Sequence, residues 1–329
     1  MCSHKTQGVP SPLLSRAPGS SSLHRQTFLI SRLAARKVDL LLLLVAIVWG
    51  SSYLAAKTLT DTVGVTVILS LRFLITTVVL VVIWLIWNRH RATRRETMVG
   101  VVLGLTQAAV LILETSGIAG TSATNAGLII SLVIVFTPVT ESIAFRVRLP
   151  RMIFIAGVIA VVGVCLLVSD DGFATPTLGD MLMLAAAVVR SIHVTAVSTL
   201  TRGRGYSALT LTLIQSGLCA IVCTLADYKS VLQAVRTFDT GEWIGVLYLG
   251  LACSVFAFLV QTWAIQQTSA SRASLLMGTE PIWAVLIGLT IGQETLELPG
   301  IIGAALVITG TYLGLRAETR HRKLPPHTR

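Results

Sequence analysis

The sequence predicts an all-α polytopic membrane protein, with ten transmembrane helices arranged as two inverted five-helix repeats. Three observations carry this. About ten stretches of roughly twenty apolar residues follow one another from Leu40 to Leu315, each long enough to cross the ~30 Å of hydrocarbon in a bilayer. Only 12% of the 329 residues are charged and mean hydropathy is +0.79, whereas a soluble domain carries about 25% charge. The second half of the chain repeats motifs of the first in the same order. Long apolar runs without a period of two satisfy their own backbone hydrogen bonds as helices, which excludes a barrel of alternating strands.

In chain order, residues 1–37 are rich in Ser, Pro and Arg, contain no Asp or Glu, and hold no pattern able to bury a core. They read as a disordered basic tail; an organelle transit peptide or a mis-assigned start has the same composition. The first repeat, 38–169, holds spans at 38–58, 64–87, 98–118, 122–145 and 150–169. The second, 179–316, holds spans at 179–200, 206–226, 241–266, 270–291 and 299–316, and a basic tail, 317–329, follows. The first span is too long for a cleaved signal peptide and has nine more behind it. Of five cysteines, Cys165, Cys219, Cys223 and Cys253 fall within spans and Cys2 in the tail, a pattern of small hydrophobes and not a disulfide framework.

The repeat is visible in matched motifs. Asp39 opens a helix reaching Trp49-Gly50-Ser51-Ser52-Tyr53, and Asp180 opens one reaching Arg190-Ser191-Ile192-His193 at the same spacing. Thr121-Ser122-Ala123 is answered by Thr268-Ser269-Ala270, and each is followed by an intramembrane proline, Pro138 and Pro281. The first copy carries about one extra helical turn before its proline. A glycine pair closes each half, Gly157 with Gly163 and Gly303 with Gly310. Five helices per copy is an odd number, so the copies cross the membrane in opposite senses, an arrangement typical of secondary transporters with the substrate site near the midplane.

The net charge of +11 is an orientation signal. Lys229 and Arg236 fall outside, Lys57, Arg72 and Arg190 fall within spans, and the other Lys and Arg residues gather on one side with both termini. Opposite them lie Asp61, Asp170, Asp171, Asp227, Asp239, Glu242, Glu294 and Glu297. The positive-inside rule places both termini in the cytoplasm of a multi-pass cell-membrane protein. No aromatic residues are interleaved with the basic runs for base stacking, so no nucleic-acid partner is expected.

Intramembrane ionisable residues are functional candidates by default, since each costs a few kcal/mol or more in lipid. Trp49, Ser52, Tyr53, Ala56 and Lys57 share one face of the first helix, which either lines a central cavity or packs through small residues, with Lys57 snorkelling. Arg190 and His193 share a face of the sixth. His193 is either a structural histidine or a proton site. Arg190 cannot discharge itself by losing a proton and needs a partner, either Glu114 or Glu280. Glu114 reads equally as a buried pair with Arg72 or as a coupling site. Glu280 precedes Pro281, whose missing N–H frees a carbonyl one turn earlier, so Pro281, like Pro138, is a candidate hinge. Gln215 and Gln261 either bind substrate or bridge helices.

Trp49-Gly50-Ser51-Ser52-Tyr53, Leu71-Arg72-Phe73, the two Thr-Ser-Ala motifs and Glu280-Pro281 leading to Gly292-Gln293-Glu294 together resemble the ten-helix EamA permeases of the drug/metabolite transporter superfamily, over about residues 38–316. His193, Gln215 and Gln261 look like positions recurrent in one branch of that family. The chain departs from the pattern at Arg190, where the family has Trp, and at Arg146-Val147-Arg148, where it has an acidic residue. It departs again at Gly292-Gln293-Glu294-Thr295, which stands for Gly-Glu-Arg. The resemblance implies a substrate cavity between the first, third, fourth, sixth, eighth and ninth helices.

The expected function is therefore a secondary active transporter. It would export a small metabolite, an amino-acid-like compound or a drug, by alternating access with proton coupling. An obligate exchanger of phosphorylated sugars or nucleotide sugars is the alternative, with Arg190 gripping phosphate. There is no G-x-x-x-x-G-K-[ST] loop for ATP. Only one of six His lies in a span, and no H-E-x-x-H pattern occurs, so a metal-dependent enzyme, or any enzyme, is not expected. A channel is disfavoured because no filter-like loop is present. No cofactor and no metal are expected; the partners are a small-molecule substrate and the lipid bilayer, with a homodimer left open.

Overall fold

Helices account for nearly all of what the computed structural model describes, which is residues 20–87, 92–146, 151–168, 176–267 and 270–323; no strand occurs among them. The first repeat contains α1 (Ser20–Thr60), α2 (Val65–Trp87), α3 (Arg94–Ala119), α4 (Ala123–Ile130), α5 (Val133–Phe145) and α6 (Arg151–Val168). The second contains α7 (Leu178–Thr201), α8 (Ala208–Ala226), α9 (Tyr228–Thr237), α10 (Thr240–Gly250), a π-helical turn (Leu251–Phe256), α11 (Ala257–Gln267), α12 (Ala270–Met277), α13 (Glu280–Thr290) and α14 (Leu298–Lys323).

Among the described residues seven segments are long and apolar enough to cross a membrane, and three shorter apolar helices, Arg151–Gly163, Glu280–Thr290 and Leu298–Gly314, complete the pattern. These are the ten positions expected from hydropathy. The protein is an all-α polytopic membrane protein. Two boundaries differ from expectation. Residues 20–37, read as unstructured, are helical as the start of α1, because no proline follows Pro18 there and Leu, Ala and Arg favour helix; residues 1–19 lie outside the described residues. At the other end α14 runs on to Lys323, and residues 324–329 are likewise outside. The chain divides into a unit up to Leu40 and a bundle from Leu41 onward.

Side-chain caps start the helices where water or headgroups replace hydrocarbon. Thr93, Ser122 and Ser207 each accept the N–H three residues on, from Glu96, Asn125 and Thr210. Thr177 and Asp180 form a reciprocal capping box, as do Asp239 and Glu242. Asp180, expected to open the sixth span, does so from the third helical position. Helix α9 was not anticipated: ten residues are too short to cross a bilayer. Val231 and Ala234 are buried while Tyr228, Leu232 and Val235 are exposed, the two-faced pattern of a helix lying in an interface.

The opposite sense of the two repeats is seen where equivalent helices meet. The broken spans run antiparallel, Gly127 of α4 beside Ala284 of α13 and Thr124 beside Gly288. The same holds for α6 and α14, where Gly163 lies against Gly303 and Val307, and Gly310 against Ala156 and Ala160. Without a hydrophobic force between helices in lipid, such small residues set how closely backbones approach. A Cβ added at Gly163 would fall 2.7 Å from the Gly303 carbonyl oxygen and the Val307 nitrogen; at Gly310 it would fall 2.8 Å from Ala156 O and Ala160 N. Gly163→Val or Gly310→Val is therefore expected to lower stability by about 1–3 kcal/mol. Thermal unfolding in detergent checks this, and an unchanged midpoint would mean the seam is not close-packed.

Both repeats break their fourth helix at the same place. Helices α4 and α12 are each eight residues long, and each ends in two turn residues, Ser131-Leu132 and Gly278-Thr279, before α5 and α13 resume. Pro281 sits in the first turn of α13, where its missing N–H costs no helical bond. Pro138 lies well inside α5 and is not at the break. Pro138, expected as a hinge, thus does not mark the break, which falls at Ser131-Leu132, and the extra turn of the first copy lies between the break and its proline.

Candidate functional site

Arg190, at mid-helix in α7, is 8% exposed and gathers groups from both repeats. Its Nη1 and Nη2 donate to Glu280 Oε1 and Oε2 at 3.4 and 3.2 Å, and Nη1 is 3.7 Å from Glu114 Oε2. The guanidinium also stacks 4.5 Å from the centre of the Trp49 ring, a cation–π contact strengthened by desolvation. The Tyr53 hydroxyl donates to the Glu280 carboxylate. The partner left open between Glu114 and Glu280 is therefore both. A planar, permanently charged fork suits two carboxylates in a way lysine does not.

Arg72 does not pair with Glu114, contrary to one of the readings above. Its Nε donates to Ser254 Oγ at 2.7 Å and its Nη2 to the Cys253 carbonyl at 3.5 Å. The Cys253 carbonyl also accepts from Trp49 Nε1 at 3.0 Å. These acceptors belong to the π turn, and Ser254 Oγ donates on to Leu249 O, five residues back. A π turn offsets backbone carbonyls from their usual partners and is common at functional sites. Nothing in the local sequence marks this one, because its partners lie on α1 and α2.

His193, one turn from Arg190, shares a 2.8 Å hydrogen bond between its Nδ1 and Thr106 Oγ1. Gln261 Nε2 faces Met277 Sδ at 3.8 Å. Gln215 is buried but donates to Leu211 O in its own helix at 3.1 Å. It does not join the cavity, since it lies on the face of α8 that packs against Gly104 of α3. Lys57 pairs with Asp61 at 3.4 Å and donates to Ala119 O at 3.3 Å, the end-of-helix placement that snorkelling implies.

Two cavities flank Arg190. One is bounded by Trp49 and Ser52, Arg72, Gln107 and Glu114, Arg190 and His193, and Phe258 and Gln261. Its volume of about 20 Å³ holds one or two waters and is too small for a metabolite. The other lies where the helix breaks meet, beside Ser131, Gly278, Glu280, Pro281 and Arg190. The second span thus reaches the first cavity through Arg72, while the fourth and ninth spans bound the second. Thr106, Phe258 and Ser254 were not singled out from sequence; Phe258 stands one turn before Gln261, the one signal available. Among the described residues no three His, Cys, Asp or Glu side chains come together as a metal site.

A family model, that of the EamA-like transporter family, matches residues 36–169 and again 177–316. The chain belongs to the EamA-like transporter family. Similar proteins include an uncharacterized transporter of Archaeoglobus fulgidus, 26% identical over 285 residues that cover 84% of this chain and 96% of that one. The uncharacterized transporter YetK of Bacillus subtilis is 25% identical over 80% of this chain and 82% of its own length. A solved structure described only as a crystal structure of a protein aligns with TM-score 0.59 over 88% of this chain and 99% of its own, at 18% identity, a likeness of fold. This EamA protein is a multi-pass membrane transporter.

Proposed function

We propose that this EamA transporter is a secondary active exporter of a small metabolite, an amino-acid-like compound or a drug, that works at the cell membrane by alternating access coupled to protons. The observation that carries the reading is the Arg190 cluster, in which one cation from the second repeat holds a carboxylate from each repeat beside the cavity. Protonation of Glu114 would weaken its pairing with Arg190 across the halves, and protonation of Glu280 would disturb both its pairing with Arg190 and its contact with Tyr53 of the other half, which gives proton uptake a way to change which side is open. The helix breaks beside Glu280 supply the moving parts. With room for only one or two waters in the cavity, substrate would bind only when the halves separate. Basic residues on the side of both termini support a cytoplasmic placement for them. A phosphate exchanger would need a free guanidinium at Arg190, which two carboxylates already hold.

The test is transport in proteoliposomes with an imposed pH gradient, offering a pooled metabolite mixture read by mass spectrometry. Gradient-driven accumulation of a few compounds, with Glu280→Gln losing gradient dependence, supports the reading. Accumulation only after preloading a related compound would replace it with obligate exchange. His193→Ala should slow transport by about tenfold, the worth of one to two hydrogen bonds, while keeping gradient dependence. Loss of that dependence would instead make His193 the proton site.

A further inference from the structure

Four buried charges lie along the two cavities beside Arg190, and they are unevenly paired. Arg190 holds both carboxylates, Glu280 and Glu114, so with both ionised its cluster carries one negative charge in excess. Arg72, 6% exposed, has only neutral acceptors, Ser254 Oγ and the Cys253 carbonyl. Among the described residues no carboxylate lies within ion-pair distance of it, and its Nη1 makes no hydrogen bond. A guanidinium cannot shed its charge by releasing a proton, and leaving a charge uncompensated in a membrane interior is unfavourable. Yet the side chain is fixed. The π turn holds Nε and Nη2, and the guanidinium carbon lies 5.4 and 5.8 Å from the ring centres of Phe73 and Phe258. What remains of the fork bounds the first cavity together with Gln107 and Gln261, while the loosely held Glu114 bounds it too.

We propose that Arg72 is the anchor for a carboxylate of the substrate, so that this transporter selects zwitterionic compounds whose anionic pole binds Arg72 and whose cationic pole is met by Glu114. The inference rests on the proposed export of a small metabolite and goes further by assigning the poles. Arg190, the more conspicuous arginine, is the tie between halves; Arg72 is the specificity group. A carboxylate on Arg72 completes the pairing of the layer, and an amine on Glu114 relieves the excess around Arg190. An uncharged amide in place of the carboxylate would leave Arg72 without a carboxylate in direct contact, and sites built for a charged hydrogen bond reject such analogues strongly.

The test measures binding and transport separately. Full-length protein in detergent is titrated with amino acids of neutral side chain and, in parallel, with the matching carboxamides, and stabilisation against thermal unfolding is read as binding. Wild type is expected to bind at least one acid about tenfold or more tighter than its amide, the range of a charge-assisted hydrogen bond. Arg72→Gln should bring acid and amide to equal affinity, and Arg72→Lys should keep the preference for the acid. If wild type shows no preference, or Arg72→Gln keeps it, the proposal is overturned. If both Arg72 variants merely melt earlier with the acid-to-amide ratio unchanged, Arg72 is structural and the proposal is likewise overturned. Acid-selective binding by a wild type that transports none of these acids in proteoliposomes would overturn the export reading and leave the anchor standing.

Discussion

Replacing Arg190 by glutamine is expected to be the most damaging single change in this transporter. It leaves Glu280 and Glu114 buried without their cation and strips the Trp49 ring of its stacking partner. Breaking a buried ion pair from one side costs about 3–5 kcal/mol, because the remaining charge is stranded. Glu280 would still accept from Tyr53, which blunts the loss without replacing a charge. Thermal unfolding in detergent should show a large drop in midpoint, and proteoliposome transport should be abolished. Arg190→Gln combined with Glu280→Gln should recover part of the stability but none of the proton coupling, since Glu280 is no longer stranded beside the break while Glu114 still lacks its cation. Arg190→Lys should be intermediate, because an ammonium keeps the charge but not the bidentate fork or the stacking. A single mutant as stable as wild type would sink the proposed cluster.

Glu294→Ala is expected to loosen one side of the molecule. The Glu294 carboxylate accepts from the backbone N–H of Ala123 at 2.8 Å and of Thr124 at 3.0 Å, and from the Thr124 hydroxyl. It therefore caps α4 of the first repeat from the loop after α13 of the second. Gln293 makes this reach in the left-handed region, at φ 54°. Gly288 leaves room for it, since a Cβ there would fall 2.7 Å from Glu294 Oε2. A carboxylate at a helix N-terminus also meets the positive end of the dipole. Removing the cap should cost about 1–2 kcal/mol and free α4 from α13. The check is labelling by a membrane-impermeant thiol reagent of a cysteine placed at Ser52, on a background without the native cysteines. Faster labelling from the Glu294 side, with a smaller effect for Glu294→Gln, is expected. Unchanged labelling together with an unchanged melting midpoint would mean the contact holds nothing shut.

The number and position of the spans were legible because a bilayer imposes one simple demand, about twenty apolar residues per crossing with every backbone group satisfied inside the helix. Hydropathy reads that demand directly. The family was legible in ordered motifs, and Trp49, Tyr53, Arg190 and Glu280 were legible because an aromatic or a charge inside lipid has few reasons to be there. What could not be read was which charge meets which. Arg72 and Arg190 are alike as residues in a span, yet one faces two carboxylates and the other a serine and a carbonyl.

The sequence by itself determined the solvent, the number of apolar spans, the repeat and the family, because each follows from local composition or from motifs along the chain. Only the tertiary structure decided the ion pairing, the aligned breaks at Ser131-Leu132 and Gly278-Thr279, the π turn at 251–256 and the cap that Glu294 places on α4. The reason is physical. A departure from regular helix persists in lipid only when a distant group satisfies the backbone it frees or the charge it buries. Those partners, Trp49 for Cys253, Arg190 for Glu280 and Glu294 for Ala123, are brought together by packing and not by proximity in sequence.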